Sequence, residues 1–324
     1  MSAIDSIITP IKKEILDFQP YFKSYIKSKA SLLNIIINYI LKHKGKQMRP
    51  MLVFLSAKML GSINESTYHA TALIELMHTA TLVHDDIVDN SDKRRGFFSI
   101  NALWKNKISV LLGDYLLAKG LLLAVNENEF ELLKIVSKAV EEMSEGELIQ
   151  IEKARKLDID EQTYFNIINK KTAALMIACS TAGAKSVNAD NETIEKMAKF
   201  GEYLGLAFQI RDDLFDYDNN NSTGKPFGND IIERKMTLPL IYALTKCDKK
   251  EKRAIIKMIR KKDKSTQMVS DIIKFTYKYD GITYAKDIMN EYKAKAINIL
   301  SELPQNDSNT ALLELLEYTT TREK

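Results

Sequence analysis

The sequence carries one acidic spacing twice: DDIVD at Asp85–Asp89 and DDLFD at Asp212–Asp216. In each, aspartates fall at i, i+1 and i+4, and on a helix i and i+4 lie one turn apart on a common face. Asp85 therefore shares a face with Asp89, and Asp212 with Asp216. Like charges at that spacing repel, so each pair destabilises its own helix unless a cation joins it. Carboxylate oxygens suit Mg²⁺, which keeps several waters and shares substrate phosphates. A single acidic cluster at a helix end reads as solvated surface. Here there are two of matching spacing, each after an apolar helical segment (LIELMHTATLVH and KFGEYLGLAFQIR) and each before a breaker-rich stretch bearing cations. A bound metal explains that coincidence better.

The cations complete the chemistry. Lys46 and Arg49 precede the first motif, Arg94 and Arg95 follow it, and Lys225 and Lys235 follow the second. Lys170 and Lys171 fall inside a helical pattern. Any one of them would be ordinary surface. Together with carboxylates able to hold Mg²⁺ they describe a polyphosphate site, in which guanidinium forks and ammonium groups take the phosphate oxygens the metal leaves.

The elements that position these residues are helices. Apolar residues recur at three and four over Ser31–His43, Thr67–Asp89, Val110–Val125, Leu132–Lys156, Glu161–Ala184 and Asn191–Tyr217. The same pattern continues over Thr237–Thr245, Lys249–Arg260, Thr266–Tyr279, Ile282–Leu303 and Asn309–Tyr318. Only 12 glycines and 6 prolines in 324 residues leave room for long elements. The interruptions are HKGKQMRP at His43–Pro50, NSDKRRGFFS at Asn90–Ser99 and DNNNSTGKPFGND at Asp218–Asp230. No change of composition divides the chain, so one all-α domain over residues 1–324 is expected. With 45% hydrophobic and 28% charged residues, the chain has apolar mass for a sizeable core.

A net charge of +4 gives no ground for a nucleic-acid partner, and the basic run Lys249–Lys264 reads as a solvated helix face. Cys179 and Cys247 are too few for a disulfide framework, which fits a reducing cytoplasm. The N-terminal segment lacks the pattern of a signal peptide. The longest apolar run, ISVLLGDYLLAKGLLLAV, is broken by Asp114 and Lys119, so no transmembrane span is expected.

In order along the chain, GKQMRP (Gly45–Pro50), HTATLVHDDIVD (His78–Asp89), DKRRG (Asp92–Gly96), GDYLLAKG (Gly113–Gly120), EGELIQ (Glu145–Gln150), KTAAL (Lys171–Leu175), FQIRDDLFDY (Phe208–Tyr217), GKPFGND (Gly224–Asp230) and KMTLPL (Lys235–Leu240) resemble the trans-type polyprenyl diphosphate synthases. One departure is Phe98, where the family often has proline two residues after the RRG glycine. The resemblance implies an all-helical bundle around a deep cavity with the two acidic motifs facing each other at its mouth. It implies a homodimer, and head-to-tail condensation of isopentenyl diphosphate onto an allylic diphosphate. On that basis Asp85, Asp89 and Asp212 would bind Mg²⁺ directly, three ions with substrate present. Asp216 would join them through water, with Asp86 and Asp213 orienting the ligands. Arg94, Lys171, Lys225 and Lys235 would hold the allylic diphosphate, and Thr172 and Gln209 would offer dipoles to the allylic cation. Lys46, Arg49, His78 and Arg95 would bind isopentenyl diphosphate.

In such enzymes a bulky aromatic just before the first motif shortens the product. Here Ala80 and Thr81 are small. Below them Met77, Ile74 and Leu73 continue the face, and Asp85 back to Ile74 is about 16 Å of helix, which predicts a product of about C30–C40 for quinone side chains. A shorter farnesyl or geranylgeranyl product stays open, as does a terpene cyclase of the same fold, although a cyclase has no need of Lys46 and Arg49. A phosphohydrolase built on His84-Asp85-Asp86 would need more histidine ligands than His43, His69, His78 and His84 provide in their setting. A non-catalytic partner subunit of the same fold would be expected to lose one acidic motif, and this chain keeps both.

Overall fold

The computed structural model describes residues 3–43, 45–89, 91–94, 96–218 and 228–321. Helices α1 (Ala3–Ile8), α2 (Lys12–Ile26), α3 (Ser31–Lys42), α4 (Met48–Leu60) and α5 (Glu65–Val88) lead to a hairpin of β1 (Lys93–Arg94) and β2 (Phe97–Phe98). Then come α6 (Ile100–Asn126), α7 (Phe130–Lys156), α8 (Glu161–Ile168), a π turn (Asn169–Ala173), α9 (Ala174–Ser186) and α10 (Asn191–Phe215). The chain ends with α11 (Asn229–Ile232), α12 (Leu238–Lys246), α13 (Lys249–Arg260), α14 (Thr266–Lys278), α15 (Gly281–Ser301) and α16 (Asp307–Thr321). Among the described residues the hairpin is the whole of the β structure, and the fold is all-α.

Local side chains decide where helices begin. Asn64 accepts from Thr67 N–H at 3.2 Å while its own N–H donates to Thr67 Oγ1 at 3.3 Å, a reciprocal cap on the long helix α5. Ser99, Asp160, Asp190, Asp248 and Ser265 accept first-turn N–H groups of α6, α8, α10, α13 and α14.

The helices pack as two compact units. The first comprises Met1–Val140, Met176–Ala198 and Leu303–Leu312. Its spine is α5 packed along α6. Leu73, Leu76, Met77 and Ala80 are buried on α5, and Leu112, Leu116, Gly120 and Leu123 on α6. The helices approach closely at Gly113, where an added Cβ would stand 2.1 Å from His84 Nε2. Beside them, Phe54 of α4 meets Phe18 and Tyr68 edge-on, at 5.8 and 5.2 Å between ring centroids. The second unit comprises Glu141–Leu175, Lys199–Glu302 and Leu313–Lys324. There α12 packs on α14 and α15. Tyr242 and Tyr284 stack at 3.9 Å, and Gly281 lies so close to Pro239 that a Cβ would fall 2.2 Å from its carbonyl oxygen.

Four features depart from the sequence expectation. The structure adds α1 and α2, the latter running through Pro20. It also adds α4, with Pro50 in a first turn that can spare a donor, so Arg49 belongs to that turn and not to a loop. The single helix expected over Glu161–Ala184 is interrupted by the π turn. Helix α6 starts at Ile100 and is interrupted at Lys105 (φ 69°, ψ 165°). By length and composition alone α6 could cross a membrane, yet its buried row against α5 is that of a packing helix.

Candidate active site

In the first unit, α5 presents the first acidic motif at its C-terminal end. Asp86 is buried, Asp85 is half-buried and Asp89 is exposed. Asp89 caps the helix, its N–H donating to Asp85 O at 2.8 Å. Asp85 and Asp89, one turn apart, are thus less buried than Asp86 between them. The chain then folds into a hairpin whose base is tied by Ser99, N–H to Asp92 O at 2.9 Å and Oγ to Ser91 O at 2.6 Å. Gly96 takes φ +82° at the turn, a conformation that suits glycine. Phe98 sits opposite Lys93 in the register, and its carbonyl accepts the Tyr39 hydroxyl at 2.8 Å. Phe97 lies 4.1 Å from the His43 ring. The departure from proline therefore yields a strand residue pinned to α3. Arg94 belongs to β1 by its backbone; its side chain, and the whole of Arg95, lie outside the described residues.

Lys46 is exposed, and Gln47 before α4 is left-handed at φ 52°. Arg49 is half-buried, and its charge is felt at Cys179. Burial pushes that thiol up to about 12, against which Arg49 acts and with which Glu75 acts. His78 is buried on α5 two turns below Asp85. Ile74, Met77 and Ala80 are buried, and half-buried Thr81 donates its hydroxyl to His78 O at 2.9 Å. A Cβ at Gly120 would lie 3.2 Å from Leu73 Cδ1 and 3.5 Å from Met77 Cε, so these two side chains close on α6. His84 rests on Gly113, 3.4 Å from Val110 O and 3.7 Å from Asp114 Oδ1, and among the described residues no cluster of His, Cys, Asp or Glu stands there as a hydrolase centre would need.

In the second unit the π turn is the organising element. It carries Lys170, Lys171 and Thr172, and two glycines let helices close on it. A Cβ at Gly146 of α7 would stand 2.9 Å from Lys170 Cβ, and one at Gly205 of α10 would stand 2.5 Å from Ala173 Cα. From α7, Glu142 and Glu145 pair with Lys170, the latter at 2.8 Å, and Glu147 pairs with Lys171. Toward α10, Thr172 donates to Gln209 Oε1 at 2.6 Å. Gln209 Nε2 donates to Asp213 Oδ1 at 2.7 Å, and the buried Tyr164 hydroxyl donates to Asp213 Oδ2 at 2.7 Å. Both oxygens of Asp213 are thereby engaged. Burial, then the nearby Asp230 carboxylate, hold its pKa well above the ordinary carboxylate range. Tyr164 and the π turn are the parts that sequence reasoning missed. Nothing in the local pattern marks either.

The second motif is not a copy of the first. Helix α10 ends at Phe215, and Asp216 N–H reaches back to Asp213 O at 3.2 Å. Asp212 is half-buried, whereas Asp216 is buried and accepts the N–H of Asp230. The expectation that Asp212 and Asp216 share one helix face is corrected to that extent: Asp216 lies past the helix end and ties down the returning chain. Lys235 follows, paired with Glu233 at 2.6 Å. Lys225 lies outside the described residues.

Each unit offers carboxylate oxygens of the kind a hard divalent cation takes, at Asp85 and Asp89 in the first and at Asp212 in the second. Among the described residues no three His, Cys, Asp or Glu groups form a closed cage. A cation that completes its shell with water and substrate phosphate requires none.

Residues 30–276 match the family model for polyprenyl synthetase. The chain is 33% identical over 311 residues to the all-trans-nonaprenyl-diphosphate synthase (geranyl-diphosphate specific) of Rhodobacter capsulatus, covering 95% of each protein. It superposes with TM-score 0.90 and 30% identity on a polyprenyl synthase from Caulobacter crescentus crystallised with calcium and isoprenyl diphosphate, over 99% of this chain and 98% of the other. It superposes with TM-score 0.84 and 38% identity on a geranylgeranyl pyrophosphate synthase from Bacteroides thetaiotaomicron, over 99% and 100%. The all-helical fold, the two Asp-rich motifs and these likenesses together define a prenyl-elongating enzyme of the isoprenoid synthase fold. The chain belongs to the polyprenyl synthetase family and is a prenyltransferase. Polyprenyl synthases use isopentenyl diphosphate, an allylic diphosphate and Mg²⁺.

Proposed function

We propose that this chain makes an all-trans polyprenyl diphosphate of about C30–C40, a length set by the inner face of α5 below Asp85. The observation that carries the reading is the small pair Ala80 and Thr81 above Met77. No aromatic stands at the position that would close the path at once.

Asp85, Asp89 and Asp212 would hold Mg²⁺ directly and Asp216 through water, with three ions in the substrate complex. Bound Mg²⁺ supplies charge neutralisation for the departing diphosphate. Lys171 and Lys235, with Arg94 and Lys225, hold the allylic diphosphate and stabilise the negative charge that grows as its C–O bond breaks. Lys171 exchanges Glu147 for phosphate when it does so. Gln209 is held rigidly by Thr172 and Asp213, and its amide oxygen keeps one lone pair for the allylic cation. Lys46, Arg49, His78 and Arg95 position isopentenyl diphosphate. Its double bond forms the new C–C bond, and the proton then lost passes to the released diphosphate, a base the reaction itself supplies. The protein works as one polyprenyl synthase domain in the cytoplasm.

A homodimer is part of the proposal. The outer side of α6 exposes Val110, Leu111, Leu121, Leu122 and Val125 at 43–57%, a row too apolar to be left to water.

A geranylgeranyl-length product is the second reading, favoured by Leu73 and Met77 closing on Gly120. That floor lies about 12 Å of helix below Asp85, counted to Met77. Product analysis with isopentenyl diphosphate and primers of several lengths decides between them. Thr81→Phe is expected to shorten the products and Met77→Ala to lengthen them. Unchanged chain length in both variants would remove α5 as the ruler.

A further inference from the structure

We propose that the outer face of α13 is a docking surface for an anionic phospholipid bilayer. The segment from Lys246 to Lys264 holds ten basic and three acidic residues, a local excess of seven in a chain whose total is +4. At 100° per residue, Lys249, Arg260, Arg253, Lys257 and Lys250 fall within about 100° of arc on α13. All five are exposed, and opposite them Ile255 and Ile259 are buried. Two of the segment's three acids, Glu251 and Asp248, are engaged away from the arc. Glu251 is turned to α14, pairing with Lys278 at 2.6 Å and with the Tyr279 hydroxyl, and Asp248 caps the helix through the N–H groups of Lys250 and Glu251. Among the described residues none of the five cations makes an ion pair within 4.0 Å.

This arrangement works against the helix that carries it. Lys249–Arg253 and Arg253–Lys257 are like-charge pairs at i,i+4. Lys249, Lys250 and Lys252 crowd the first turn, where the helix macrodipole disfavours cations. A solvated helix face needs neither feature. A surface of fixed negative charge removes both penalties.

The arc contains no aromatic on which a nucleobase could stack. The apolar side of α13 is already used inside the protein, so the contact is electrostatic and nothing inserts. A bilayer is also where a long-chain polyprenyl diphosphate has to go, a point that rests on the proposed product length.

The test is sedimentation of the full-length protein with phosphatidylcholine vesicles with and without phosphatidylglycerol. Binding is expected only to the anionic vesicles and is expected to vanish at roughly 0.5 M NaCl, where the screening length falls to about 4 Å. Lys249→Gln with Arg253→Gln and Lys257→Gln should weaken it about a hundredfold, with prenyl transfer in detergent unchanged. Equal binding to both vesicle types, no binding by the wild type, an unaffected triple variant, or tighter binding to an oligonucleotide at the same salt would each overturn the proposal. Product length is read in a separate assay, so failure of one reading leaves the other standing.

Discussion

Replacing Tyr164 by Phe isolates what holds the second acidic motif in shape. Tyr164 is buried, and its hydroxyl lies 2.7 Å from Asp213 Oδ2. The variant keeps the ring and removes one donor. Asp213, itself 5% exposed, keeps Gln209 on its other oxygen but gains no water in exchange. A buried acceptor left unsatisfied costs about 1–3 kcal/mol, and the ring stays packed edge-on against Phe165 at 5.4 Å, so little else is lost. Urea denaturation should therefore show a lower midpoint at an unchanged slope, worth about 1–3 kcal/mol. Because Asp213 anchors Gln209 and Gln209 anchors Thr172, kcat should fall while the KM for isopentenyl diphosphate stays fixed. Stability equal to wild type would refute the claim that this bond holds the carboxylate. A lowered midpoint with full kcat would detach the network from the chemistry.

Three further outcomes follow from the same geometry. Glu147→Gln takes the carboxylate from Lys171. Because the pair is partly exposed, the KM for the allylic diphosphate should fall by no more than about fivefold, and an unchanged KM would place Lys171 away from the diphosphate. In the native protein a maleimide at pH 8 should label Cys247, while Cys179, buried and pushed up to about 12, reacts only after denaturation; two thiols labelled at the native rate would contradict the burial. The caps Asp160 and Asp190 are held below the ordinary carboxylate range by Thr163 and Thr193. Their stabilisation is complete above the unfolded carboxylate pKa and is lost as pH falls through the lower folded value. Asp160→Asn with Asp190→Asn should flatten the acid limb of Tm against pH, and an unaltered acid limb would show that these caps do not titrate with folding.

The acidic motifs could be read from the sequence because i,i+4 spacing on an apolar helix is a local pattern. At Asp85 and Asp89 it does fall on the last turn of one helix, where both are less buried than Asp86. The same spacing made Asp212–Asp216 look equivalent, and there it failed in part, since the fate of the last aspartate depends on the chain that follows. After Asp89 comes a hairpin tied to itself by Ser99. After Asp216 the chain returns and offers the N–H of Asp230. The π turn was illegible for a related reason. KKTAAL continues a helical pattern perfectly well, and the extra residue per turn arises where Gly146 and Gly205 let two other helices press on it. Pro50 misled in the opposite direction, as a breaker in a first turn that accommodates it.

These differences bear on what each carboxylate can do. A residue that accepts two side-chain donors, as Asp213 does, or a backbone N–H in a buried turn, as Asp216 does, has part of its capacity committed before any ligand arrives. Asp85, Asp89 and Asp212 are the members of the two motifs with accessible carboxylates. Asp213 fixes the Tyr164 and Gln209 side chains, and Asp216 fixes the backbone at Asp230. Two motifs of identical aspartate spacing thus bury different members. On α5 the buried member is Asp86, whereas at the end of α10 and in the turn after it Asp213 and Asp216 are buried.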